Sequence, residues 1–116
     1  MPAKRLVLDI VATDKTFERM HGRHGPVWVG KCIHCNSRLQ VAMDGTPLGK
    51  ATVEHIVPKT HGGTNALNNV AMACARCNGA KGRKVDVLRW GDPKLTAMIE
   101  RLQARRSKRW RDLGGP

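Results

Sequence analysis

The chain has 116 residues, with 21 Lys plus Arg against 9 Asp plus Glu, four Cys, one Phe, three Trp and no Tyr. Its length predicts one domain over residues 1–116, with a core that is small for its surface; no apolar run approaches the ~20 residues of a membrane span, so we expect no transmembrane helix and no signal peptide. The formal charge of +12 points to a polyanionic partner, nucleic acid before an anionic membrane, because Arg76 to Arg111 holds more than half of the basic side chains against only Asp86, Asp92 and Glu100.

In chain order, Arg5 to Thr13 is rich in Val, Leu and Ile and reads as extended, and Asp14 to Glu18 reads as a capped short helix ended by Gly22. A short strand from Val27 to Gly30 leads into Cys32-Ile-His-Cys35. Arg38 to Met43 and Lys50 to Ile56 read as a hairpin around Asp44 to Gly49, followed by a loop from Val57 to Asn69 rich in Pro, Gly, Thr and Asn. Val70 to Ala73 is a brief apolar segment, able to pair with Ala51 to Ile56. From Ala75 a helix is predicted that places Cys77, Asn78 and Lys81 on one face with Cys74. Asp92-Pro93 opens an amphipathic helix, about 93–111, with Leu95, Met98, Ile99 and Leu102 on one stripe and a basic end through Arg105, Arg106, Lys108 and Arg109.

Two C-x-x-C pairs, Cys32/Cys35 and Cys74/Cys77, can meet at one tetrahedral zinc. Two disulfides would need an oxidising compartment, and a redox pair would need only one C-x-x-C on a βαβ pattern; neither suits this chain. Zinc would supply stabilisation that the small core lacks, and the thiols imply a reducing, cytoplasmic location.

The chemistry concentrates in Val53 to Gly82. Glu54 offers a carboxylate to a hard divalent cation, Asn78 a neutral oxygen, and His55 a base that can take a proton from water. On an alternating strand Glu54 and His55 point to opposite faces, so both serve one site only if the strand is distorted or one side chain reaches round its edge. His61, His21, His24 and His34 stand outside this set: His61 as a loop residue, His21 and His24 as surface residues, and His34 because two cysteines already supply the ligands of its knuckle.

The segment from about Cys32 to Gly82 resembles the HNH endonuclease family: an acid-His pair before Pro58, the Gly62-Gly63 loop, Asn69 shortly before the second C-x-x-C, and Asn78 directly after its last Cys. The resemblance implies an α+β fold, a small ββα-metal core with zinc knuckles, flanked here by an N-terminal strand and helix and a basic C-terminal helix. It implies His55 as general base, Glu54 and Asn78 as ligands of catalytic Mg2+ or Mn2+, Asn69 as the residue that fixes the loop and orients His55, and the four cysteines on structural Zn2+. Asn78 replaces a His, as in the H-N-N branch, and Glu54 replaces the commoner Asp; both keep an oxygen ligand. The implied reaction is phosphodiester hydrolysis leaving a 5′-phosphate and a 3′-hydroxyl.

Lys81, Arg83, Lys84, Arg105, Arg106, Lys108 and Arg109 are the expected nucleic-acid contacts, with double-stranded DNA the favoured substrate because aromatic stacking platforms are few. Trp110 stacks on a base or packs under the C-terminal helix. A non-catalytic zinc-stabilised DNA-binding module and an RNA-directed nuclease are the competing functions. Monomer and homodimer both remain open: a monomer would nick, and a double-strand break would need a dimer or two events.

Overall fold

The computed structural model describes residues 3–85 and 87–113, so Asp86 lies outside the described residues. The chain opens with a helix, α1 (Lys4–Ala12), where an extended segment was expected. Val7, Ile10 and Val11 are buried on one stripe, and this helical spacing outweighs the β-branched content. The segment expected to be helical is instead a turn and a strand. Asp14 Oδ1 accepts from the Thr16 amide and hydroxyl, each at 2.8 Å, which closes a turn rather than capping a helix.

Strands β1 (Glu18–Gly22), β2 (Gly25–Lys31), β3 (Arg38–Ala42) and the short β4 (Pro47–Leu48) form an antiparallel sheet in that order. A Cβ on Gly30 would overlap the buried Phe17 ring, so β2 can cross that ring only as glycine. β3 does not pair with Lys50 to Ile56, as a 44–49 hairpin would require. Gly45, at φ 96°, folds the chain back at once: the Ala42 amide donates to Thr46 O at 2.9 Å, and the return strand is β4.

The second sheet has two strands, β5 (Ala51–His55) antiparallel to β6 (Val70–Cys74), with His55 opposite Val70 and Ala51 opposite Cys74. Every residue of β6 is buried, which suits a five-residue apolar run covered on both faces. Helix α2 (Ala75–Val85) follows directly and packs back on β5 and β6.

Helix α3 (Pro93–Lys108) begins under an Asp92 cap whose carboxylate accepts from the Lys94 amide at 2.8 Å. It ends at Lys108, short of 111. Trp110 then bridges to Asp14, and the Arg111 amide donates to Thr13 O at 3.0 Å. The core joins α1, β3, β6 and α3 around Val11, Leu39, Met72 and Leu102. No helix among the described residues is long and apolar enough to cross a membrane.

Candidate functional site

The two knuckles close on one point. Cys32 and Cys35 follow β2, Cys74 ends β6 and Cys77 lies in the first turn of α2, and the four Sγ atoms all fall within 4.8 Å of one another. Cys35 Sγ and Cys74 Sγ are 3.9 Å apart, far beyond a disulfide and near the ~3.8 Å edge of a tetrahedron with 2.3 Å zinc–sulfur bonds. Backbone amides point into the cluster: Cys74 N and His34 N donate to Cys32 Sγ at 3.3 and 3.4 Å, and Cys77 N to Cys74 Sγ at 3.4 Å.

The thiols differ in acidity. Ser37 at 3.1 Å draws Cys35 down to about 6, whereas burial and the neighbouring sulfurs push Cys77 up to about 12. Four thiolates this close repel one another, and a divalent cation is the partner that lets all four ionise. The donor set therefore suits structural zinc.

His55 ends β5, half-buried, and its Nε2 donates to Asn65 Oδ1 at 2.7 Å. In the neutral ring that bond holds the proton on Nε2 and leaves Nδ1 with the lone pair. Asn65 is held in turn through Asn69. The Asn69 carboxamide accepts from Val57 N at 2.8 Å and donates to Val57 O at 3.2 Å and to Thr64 O at 2.9 Å, while Asn69 O accepts from Ile56 N at 2.8 Å. One side chain thus staples the strand exit to the residue before Asn65. Gly62 adopts φ 85°, and a Cβ on Gly63 would overlap the Val57 carbonyl, so the Gly-Gly pair lets the loop turn back onto His55. His61 faces away from His55's partners: its Nε2 bonds Leu88 O at 2.9 Å and its ring tilts against Trp90.

Glu54 and Asn78 come from the contact between β5 and α2. Asn78 Nδ2 donates to Thr52 Oγ1 and to Val53 O, both at 3.0 Å, which spends its amine and leaves Oδ1 for another partner. Asn78, Val53, His55 and Lys81 line one cleft of about 220 Å³. Glu54 does not line it, because strand alternation turns its side chain inward, where it is fully buried. Its Oε1 bonds His34 Nε2, and Oε2 has no hydrogen-bond partner among the described residues, with Lys81 Nζ at 3.8 Å. A buried carboxylate oxygen without a hydrogen-bond partner is a hard donor of the kind that a divalent ion takes, and Asn78 Oδ1 on the facing helix offers a second of the same chemistry.

The basic residues need correction. Lys81 is buried, and its ammonium is spent on the His55 and Ile56 carbonyls, so it cannot reach a phosphate; burial lowers its pKa, with Glu54 opposing. Arg106 is 1% exposed and donates to the carbonyls of Thr13, Leu67 and Val70 and to the Thr13 hydroxyl. Arg105 donates to Ile33 O and His34 O, and Arg109 to Lys31 O, Cys32 O and Asn36 Oδ1, so both guanidinium groups grip the first knuckle instead of forming a free arm. The reason is geometric: α3 lies across the knuckle, and the carbonyls of its turn need donors. Arg83, Lys84 and Lys108 are exposed.

A second groove, of about 710 Å³, opens on the other side of His55 between the start of α1 and β5, with Lys4, Leu6, Pro47, Val53, Lys59 and Asn65 among its lining residues. Lys59, Asn65 and His34 were absent from the expected site. The first two lie in the loop that follows His55, and nothing in the spacing of the chain marks His34.

Residues 32–84 match the family model described as HNH endonuclease. Comparison with curated proteins and with solved structures yields no match. The matched segment runs from the first knuckle through β5, β6 and α2, the same elements that gather the four thiols and place His55 beside Asn78. Residues 32–84, a little under half of the chain, are therefore similar to the HNH endonuclease domain, a match that supports a nuclease-type function in general and implies a nucleic-acid substrate.

Proposed function

We propose that the chain is a metal-dependent endonuclease that hydrolyses phosphodiester bonds in DNA, with His55 as general base. The observation that supports this best is the His55 ring. Its Nε2 is held on Asn65, which leaves Nδ1 to take a proton from an attacking water at the rim of a groove that carries Lys4 and Lys59. A positioned base of this kind contributes about 10²- to 10⁴-fold in rate. Asn69 holds the loop and, through Thr64 and Asn65, the orientation of the ring.

Asn78 Oδ1 and Glu54 Oε2 would hold Mg2+ or Mn2+, which when bound supplies charge neutralisation on the phosphate and the leaving oxygen. Lys59, with Arg83 and Lys84 at the far end of α2, binds the phosphate backbone. Double-stranded DNA is the proposed substrate, cut by nicking in a monomer, and four free thiols fit a reducing cytoplasm.

The test is a supercoiled-plasmid assay with Mg2+ or Mn2+, comparing wild type with His55→Ala once both are shown to hold one zinc. Nicking by the wild type alone supports the reading. Binding without cleavage by either protein would leave a zinc-stabilised DNA-binding module, and faster cleavage of matched RNA would move the substrate class.

A further inference from the structure

Glu54 is placed by a residue that belongs to the zinc turn. His34 sits between Cys32 and Cys35, its amide donates to Cys32 Sγ at 3.4 Å, and its carbonyl accepts from Arg105 at 3.0 Å. Both ends of its backbone are therefore fixed, one by the metal turn and one by α3, and its ring is carried onto Glu54 Oε1. The Glu54 side chain has three torsions, and a buried carboxylate bonded through one oxygen has the direction of its second oxygen set as well. That second oxygen, Oε2, is buried and has no hydrogen-bond partner among the described residues. Lys81 Nζ is 3.8 Å from it and is already committed to the carbonyls of His55 and Ile56.

We infer that His34 is a positioning residue for the divalent-ion site: by holding Glu54 Oε1 it presents Oε2 to the catalytic ion, so the zinc knuckle sets the affinity of a second, chemically distinct metal site. This rests on Glu54 and Asn78 being ligands of that ion. Outer-shell partners that orient a ligating carboxylate are worth about 10- to 100-fold in metal affinity, and a residue that only filled space would leave the affinity unchanged.

The experiment is Mn2+ titration of the full-length, zinc-loaded protein by calorimetry and by the loss of the free Mn2+ EPR signal, on wild type, His34→Ala, His34→Gln and Glu54→Gln. Zinc stoichiometry and melting temperature are measured on each. His34→Ala is expected to weaken Mn2+ binding by about 10- to 100-fold at unchanged zinc content. It should raise the Mn2+ concentration for half-maximal cleavage more than it lowers the rate at saturating Mn2+. His34→Gln, whose amide Nε2 can still donate to Oε1, should recover most of the affinity, and it decides the matter if His34→Ala loses zinc. A Kd within twofold of wild type in His34→Ala, or in His34→Gln and His34→Ala alike, would overturn the inference while leaving the ion site standing. A wild type that binds no Mn2+, with Glu54→Gln indistinguishable from it, would remove the reading of Glu54 as a ligand, and the role of His34 with it.

Discussion

Replacing Arg106 tests whether the basic face of α3 serves the fold or the substrate. Its guanidinium makes five hydrogen bonds: Nε to Leu67 O and Val70 O, Nη1 to Thr13 O, and Nη2 to Thr13 Oγ1 and Leu67 O. The group also lies 4.9 Å from the centre of the Trp110 ring. Charge-assisted bonds contribute about 1.5–3 kcal/mol each, and a buried acceptor left unmade costs about 1–3 kcal/mol. Thr13 O keeps the Arg111 amide, so Arg106→Ala orphans Leu67 O most directly. Relief of the buried charge offsets part of the loss, since burial already lowers the Arg106 pKa. The net expectation is a loss of about 3–5 kcal/mol, or ~10–20 °C in melting temperature for a domain of this size. Arg106→Lys keeps the charge but not the fork, and should fall between the two. Urea unfolding of the zinc-loaded protein by far-UV circular dichroism, with DNA affinity measured below the transition, separates the roles. A stability loss under about 1 kcal/mol, together with a drop in DNA affinity as large as that of Arg83→Ala, would show that Arg106 contacts phosphate and that its internal bonds have been misjudged.

Gly63→Ala should destabilise the His55 loop and cut cleavage by an order of magnitude or more, because its Cβ overlaps the Val57 carbonyl; Gly82→Ala, where a Cβ meets nothing, is the matched control in the same assay. Acidification should release zinc and then the fold, since metal binding requires thiolates: protonation competes as pH falls, and zinc release followed with a colorimetric chelator should precede the loss of helix signal. Cys74→Ser should behave at neutral pH as the wild type does after chelation. Lys59→Glu, at the rim of the groove beside His55, should weaken DNA binding and flatten the slope of log K against log salt by about 0.9 or more, with zinc content unchanged; a slope equal to that of the wild type would place the substrate elsewhere.

The part of the fold that could be read in the sequence is the part whose chemistry demands particular residues at particular spacings. The knuckles, α2 with Cys77, Asn78 and Lys81 on one face, and the capped start of α3 at Asp92-Pro93 each rest on a local rule. In the N-terminal segment Val and Ile content competes with helical spacing, and the buried stripe of Val7, Ile10 and Val11 decides for the helix. The β3–β4 return is hidden in the sequence because Gly45 turns the chain earlier than the 44–49 loop implies. Composition counts charges but not their partners, so Lys81, Arg105, Arg106 and Arg109 read as a phosphate-binding surface although backbone carbonyls distant in sequence take up their donors. His34 could not be singled out for a similar reason, since its partner Glu54 is brought to it only by tertiary packing.

The clasp that joins Thr13, Asp14 and Lys15 to Arg111, Trp110 and Arg109 closes the two flanks of the chain on each other. Arg111 strengthens it by donating to the carbonyls of Val11, Ala12, Asp14 and Phe17. The HNH segment, residues 32–84, is therefore an excursion out of a ring whose seam is sealed elsewhere. Mechanically, tension applied at the flanks unzips the clasp from its outer pair, Thr13 and Arg111, inward to Lys15 and Arg109, before it reaches β5 or the knuckles. For protein engineering, the flanks act as a frame: a different 32–84 cassette would seat in it only if it kept the end-to-end spacing together with the apolar faces of β3 and β6 and the carbonyls that Arg105, Arg106 and Arg109 bond.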